Sequence, residues 1–361
     1  MESIKILHIA DLHLDSKIEN LGSRKSSQRR TEILLSLRNV LSRFSDAKIV
    51  LIAGDLFDGL YNRSTINYLC KLFSDYAESR FFISAGNHDS LSSEPMIKFV
   101  ENIPKNVHVF GESVSCVTVG ELGINVYGAS FSSPSLYSSF LNGFHAENND
   151  MVNIMLMHGE IATEGKYNPF SLKDIANSNL DYLALGHVHT FSGIKKSGKT
   201  VYAYPGVFEP RGFDECGSCG VIYGEVSKGG SSLNFYPTCV REYHELDFKI
   251  TGCSSDAEVI NSLASIVLTD NIYRINLTGT KTAGYIPNVN AISDSLNVFW
   301  CDVNDNAASE NSIFDYDGEH TLRGFAAKKL KEYSEKSVYS EDELMDATEI
   351  LTSVLLGSDK L

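Results

Sequence analysis

No stretch of this chain reaches the eighteen or so uncharged apolar residues that a bilayer-spanning helix needs. The first residues, Met1-Glu2-Ser3-Ile4-Lys5, lack the basic start and apolar run of a secretory signal. These absences predict a cytoplasmic protein with no membrane partner. Internal repeats and low-complexity tracts are missing as well. A disulfide framework is also excluded: the seven cysteines are odd in number, scattered, and set in a chain too large to need staples. Cys216-Gly217-Ser218-Cys219 is a lone C-x-x-C, without the second ligand pair of a zinc site or the context of a redox site.

Basic charge is scarce. The net charge of -15 is a poor start for a nucleic-acid binder, but it is unevenly spread. Residues 1–245 hold 27 acids and 22 bases (-5), and residues 246–361 hold 19 acids and 9 bases (-10). Such a balance limits non-specific DNA affinity without forbidding a local contact.

What is present is ordinary globular sequence, 43% apolar and 21% charged, and its 361 residues suffice for two domains. Apolar, β-rich runs at Ile4–Ala10, Lys48–Ala53, Phe81–Ala85 and Val107–Phe110 alternate with helical spacing at Ser27–Phe44 and Ser64–Ala77. That alternation implies parallel βαβ units. Val114–Val119 and Ile124–Tyr127 suggest a hairpin. Val152–Met157, a helix near Ser171–Ala176 with Ser171 and Asp174 spaced as a capping box, and Tyr182–Leu185 resume the pattern. Val201–Tyr204, Gly220–Val226 and Leu233–Pro237 read as one closing antiparallel run. The character shifts near Leu246, so residues 1–245 are expected to form one domain and 246–361 a small α+β domain. The latter ends in two charged amphipathic helices at Thr321–Lys336 and Glu341–Leu356.

Five polar clusters carry the chemistry: Asp11-Leu12-His13, Gly54-Asp55-Leu56-Phe57-Asp58, Gly86-Asn87-His88-Asp89, Met157-His158-Gly159 and Gly186-His187-Val188-His189. Each follows an apolar strand. Ligands of open α/β sheets bind at the carboxyl ends of strands, so the five would converge on one crevice. Residues at i and i+2 share a face, as in Asp11/His13 and His187/His189. Carboxylate, amide and imidazole without thiolate suit manganese, iron, nickel or zinc. The set is large enough for two ions, an arrangement suited to in-line displacement at phosphorus.

The order D-x-H, G-D-x-x-D, G-N-H-D, H-G, G-H-x-H resembles the calcineurin-like metallophosphoesterase superfamily. Within it, His8–Asp15, Ala53–Asp58 and Ala184–His189 resemble the nuclease subunit of the SbcCD type, over roughly residues 4–245. Tyr204-Pro205-Gly206 followed by Arg211 through Gly220 resembles a late motif of that subgroup. Residues 246–361 resemble its capping domain only loosely.

The resemblance implies a sandwich of central mixed β-sheets flanked by helices. It implies two divalent ions, with manganese favoured over iron, nickel and zinc. Asp11, His13 and His189 would hold one ion, Asn87, His158 and His187 the other, and Asp55 would bridge. His88 would stabilise the phosphoryl transition state or protonate the leaving oxygen, and Asp89 would orient His88 or its loop. Asp58 is expected to be a helix-start acid, with a direct metal role as the lesser alternative. The implied activity is a manganese-dependent DNA exonuclease or endonuclease of DNA repair, with an SMC-like ATPase partner and homodimerisation left open. The alternatives are a phosphodiesterase or phosphatase acting on a small nucleotide, and a metal-binding regulatory scaffold. Arg24, Lys25, Arg29 and Arg30 are the one dense basic group, read either as a solvated helix start or as a contact to phosphates at the rim.

Overall fold

The computed structural model describes residues 3–147, 150–282, 285–309, 313–336 and 339–356. The chain divides into two compact units, Met1–Glu242 and Tyr243–Leu361.

In the first unit, β1 (Ile4–Ile9), β2 (Ile49–Ala53) and β3 (Arg80–Ser84) are nearly unbroken apolar runs. That is the composition of strands buried on both faces inside a parallel sheet. Two helices lie between them. α1 (Gly22–Arg43) buries Ile33, Leu37, Val40 and Leu41, the i, i+4, i+7, i+8 stripe of an amphipathic helix. α2 (Arg63–Asp75) is capped by Asn62, whose side chain accepts from the Ser64 amide at 3.0 Å. α3 (Glu94–Val100) and β4 (Val107–Val109) follow. Then come β5 (Ser115–Val119), β6 (Ile124–Gly128), β7 (Val152–His158), α4 (Leu172–Asn177), β8 (Tyr182–Gly186), β9 (Lys195–Ser197), β10 (Thr200–Ala203), β11 (Gly220–Ser227) and β12 (Gly230–Pro237). The Ser171/Asp174 capping box forms at α4.

The strands make two six-stranded mixed sheets, β12-β11-β1-β2-β3-β4 and β5-β6-β7-β8-β10-β9. In each, a parallel centre is closed by antiparallel strands at an edge. Period-2 alternation divides the apolar side chains between cores. Ile6, Leu51, Ile154, Leu156 and Ala184 share one cluster drawn from both sheets, while Met155, Met157, Leu183 and Leu185 join Ile175 of α4 in another.

Two expectations are corrected. Val201–Tyr204 is not part of the closing antiparallel run, because β10 pairs in parallel with β8 in the second sheet while β11 and β12 extend the first. α1 begins at Gly22 rather than Ser27, because its first turns are held by polar contacts that leave no apolar period. Ser26 Oγ donates to the Ile18 carbonyl, and Arg29 is buried against Glu209.

The second unit contains β13 (Tyr243–Lys249), α5 (Asp256–Ala264), β14 (Ile272–Thr278), β15 (Thr280–Lys281), α6 (Val289–Ser295), β16 (Trp300–Asp305), β17 (Ala308–Ser309), α7 (Leu322–Glu335) and α8 (Glu341–Leu356). β13, β14 and β16 form a parallel sheet whose Ile275, Leu277 and Val303 pack with Val259, Leu263 and Ile292. The boundary expected at 245/246 falls inside β13. Leu351 and Leu355 of α8 pack on the cluster of Ile313, Ala327 and Leu330, while Ile350 and Val354 stay exposed. Among the described residues, no helix is long and apolar enough to cross a membrane.

Candidate metal centre

Parallel register levels the strand ends. Ile9 lies beside Ile52, Ala53 beside Ser84, and His158 beside Gly186. The turns after these strands therefore meet at one edge, and their backbones bond to each other: the Asp11 amide to the Gly54 carbonyl at 3.2 Å, and the His13 amide to the Asp55 carbonyl at 2.8 Å. The turning is sharp. Asp11, His13, Asp55 and His187 all have positive φ (51°, 45°, 49° and 105°), a region costly for side chains other than glycine. At Gly54 (φ 83°) a Cβ would lie 2.1 Å from His158 Nδ1, and at Gly86 one would lie 2.1 Å from Asp55 Oδ1. The close approach of these chains requires glycine.

The side chains converge accordingly. His13 Nε2 and His189 Nε2 are 3.3 Å apart, and one ligand atom from each of Asp11, His13 and His189 falls within 4.8 Å of the others. Both Asp11 oxygens accept from the His187 amide at 3.1 Å. Asp55 Oδ2 lies 3.6 Å from His13 Nε2 and 3.5 Å from His158 Nε2, facing both groups of residues, while Oδ1 accepts from the His88 amide at 3.0 Å. His158 Nε2 is 3.0 Å from Asn87 Oδ1, and the His158 and His187 rings are 5.0 Å apart. All seven residues expected as ligands thus meet at the strand ends.

The donor set fits divalent ions. His158 Nδ1 donates to the Ala53 carbonyl at 3.1 Å, and His189 Nδ1 donates to Glu215 Oε1 at 2.8 Å, so each ring offers Nε2 as a lone pair. Burial pushes His13 and His187 down to about 4, the neutral form that binds metal. Burial and the neighbouring Asp55 raise the Asp11 carboxyl, a repulsion that a bound cation would relieve.

His88 stands apart. It is half exposed, and its Nδ1 donates to Asp58 Oδ1 at 2.7 Å, which raises its pKa and leaves Nε2 as the nitrogen not bound to Asp58. Asp58 is not a helix-start acid, because α2 starts at Arg63 under the Asn62 cap. The imidazoles of His13 and His88 hold its carboxyl far below the usual range. Asp89 is buried, and its carboxylate bonds backbone rather than the His88 ring: Oδ2 accepts from Leu56 and Phe57 (2.7 and 3.2 Å), and Oδ1 from Gly86 (2.7 Å). It ties the loop after β2 to the loop after β3.

Sequence reasoning missed Glu215 and the use of Arg211. The only signal was their place in the late Tyr204-Pro205-Gly206 segment, whose backbone lies over the site: Val207 donates to the His189 carbonyl at 3.0 Å and Phe208 to that of Asp11 at 3.3 Å. His8 instead lies in the core, with Nδ1 2.8 Å from the Tyr182 hydroxyl. Arg29 belongs to no surface patch: it is wholly buried and paired with Glu209.

This geometry of paired carboxylates and imidazoles at the ends of two mixed sheets defines the class. The calcineurin-like phosphoesterase family matches residues 4–191, and this chain belongs to it as a metallophosphoesterase with candidate divalent-metal ligands. Over 252 residues it is 29% identical to the uncharacterized metallophosphoesterase YhaO of Bacillus subtilis, covering 65% of this chain and 60% of YhaO. Over 235 residues it is 27% identical to the DNA double-strand break repair protein Mre11 of Aeropyrum pernix, covering 60% of this chain and 56% of that protein. The chain therefore spans less than two thirds of either relative. The solved structure of TT1561 from Thermus thermophilus aligns with 65% of this chain and 99% of its own at 11% identity, with a TM-score of 0.39.

Proposed function

We propose that this protein is a two-metal phosphodiesterase that cuts DNA, as an exonuclease or endonuclease of DNA repair working with an SMC-like ATPase. The observation that carries the phosphoester chemistry is the half-exposed His88, held by Asp58 beside a buried nitrogen and oxygen donor set. The similarity to the Aeropyrum pernix repair protein supports DNA as the substrate. Asp11, His13 and His189 would hold one ion, Asn87, His158 and His187 the second, and Asp55 would touch both. Two divalent ions there, manganese by preference, would supply an activated water and neutralise phosphoryl charge. His88 donates a proton to the leaving oxygen from Nε2 while Asp58 holds Nδ1. Asp89 keeps the loops of Asp55 and His88 together.

Hydrolysis of a small nucleotide is the second reading, favoured by the burial of Arg29, which removes one of the four cations expected to grip a DNA backbone. The test is incubation of purified protein and Mn2+ with single-stranded DNA, duplex DNA and bis(p-nitrophenyl) phosphate. Cleavage of DNA supports the first reading. Cleavage of the small diester with intact DNA overturns it in favour of the second.

A further inference from the structure

One guanidinium lies between the supports of His189 and His88. Arg211 sits in the loop joining β10 to β11, and its side chain is 17% exposed. Its Nη2 donates to Glu215 Oε1 at 2.5 Å, the oxygen that also accepts from His189 Nδ1 at 2.8 Å. Its Nη1 is 3.6 Å from Asp58 Oδ2, and the other oxygen of Asp58 accepts from His88 Nδ1 at 2.7 Å. The Arg211 amide donates to Glu215 Oε2 at 2.7 Å, so the loop that presents the guanidinium also fixes the carboxylate it binds. Glu215 is almost fully buried and held down at about 2: these bonds from His189 and Arg211 outweigh its burial.

We propose that Arg211 is a positioning residue for phosphoester hydrolysis, holding the Asp58 and Glu215 carboxylates, and through them His88 and His189, at a fixed separation. This rests on the metal-centre reading of His189 and not on DNA being the substrate. Only a planar fork with several donors can face both carboxylates at once, so lysine is no equivalent here. The competing role is that of a plain cation facing substrate charge, and the two roles have opposite signs in metal affinity. Deleting a plain cation beside a dication relieves repulsion and tightens binding. Deleting an organiser lets His189 swing and weakens binding, by about tenfold or more for a lost outer partner.

The experiment is calorimetric titration of Mn2+ into the full chain, as wild type, Arg211→Met, Arg211→Lys and Glu215→Gln. It is paired with turnover of bis(p-nitrophenyl) phosphate and of an unactivated dinucleotide. Both arginine variants should lose affinity for one ion by about tenfold or more. Turnover should fall further on the dinucleotide, whose leaving group needs the proton from His88, than on the activated diester, with KM little changed. Should Arg211→Met fail to fold, Arg211→Lys and Glu215→Gln give the same readout. Unchanged or tighter Mn2+ binding, or wild-type behaviour of Arg211→Lys, overturns the proposal. A wild type that binds no Mn2+ overturns the metal-centre reading and this inference with it. The choice of substrate is read separately, by the DNA incubation above, and its failure leaves this inference standing.

Discussion

Arg29 and Glu209 form an ion pair with no side-chain exposure on either partner. The guanidinium also reaches the Pro210 carbonyl at 3.3 Å, and Glu209 accepts from the Val240 amide at 2.9 Å, so the pair fastens α1 to the segment that leads into Arg211. Removing one partner strands a buried charge. Arg29→Ala is expected to destabilise the protein by about 3–5 kcal/mol, while the double variant Arg29→Met with Glu209→Leu should cost less than either single change. Urea denaturation of Arg29→Ala, the double variant and its two single changes checks this.

Asp55 faces both groups of candidate ligands, with Oδ2 within 3.6 Å of His13 and His158. Asp55→Asn should lower bound Mn2+ and abolish hydrolysis of every substrate. Gly86→Ala should do the same without replacing a ligand, since its Cβ would lie 2.1 Å from Asp55 Oδ1 and displace that carboxylate. Elemental analysis beside activity reads both. Full activity in Asp55→Asn with two ions bound would refute the assignment.

His88 has a different signature. His88→Ala should keep its ions and substrate affinity, while turnover falls by about a hundredfold or more. Asp58→Asn, which leaves the imidazole but weakens its 2.7 Å hydrogen bond, should show a smaller fall. Loss of metal in His88→Ala would make His88 a ligand instead.

With Arg29 buried, the surface group shrinks to Arg24, Lys25 and Arg30. Counterion release then limits their share of the salt dependence of DNA binding to a slope of about three. Replacing these three by serine should slow DNA cleavage at low salt and leave a small phosphodiester unaffected. Equal slowing of both would assign the group to the fold.

The convergence of the candidate ligands was legible because each follows an apolar strand, and parallel strands deliver their ends to one edge. His13 and His189, 3.3 Å apart, are brought together by that rule alone. The supports were not legible. Glu215 and Arg211 lie in a loop with no periodicity, and their partners His189 and Asp58 are far off in sequence. The burial of Arg29 was hidden for the opposite reason. It lies on a polar helical turn beside Arg24, Lys25 and Arg30, and its partners Glu209 and Pro210, far off in sequence, set it apart. α3 and α6, seven residues each, are too short for an apolar period to show.

The left-handed backbone at Asp11, His13, Asp55 and His187 carries a consequence for how such a chain can change. Each of these positions holds a side chain where glycine would be more comfortable, so the fold is under tension at the candidate metal centre. Drift toward glycine there would relax the chain while removing its candidate ligands, so gains in robustness and the loss of metal-binding groups lie in the same direction. A sturdier descendant of this protein is more easily reached as an inert scaffold than as a better enzyme.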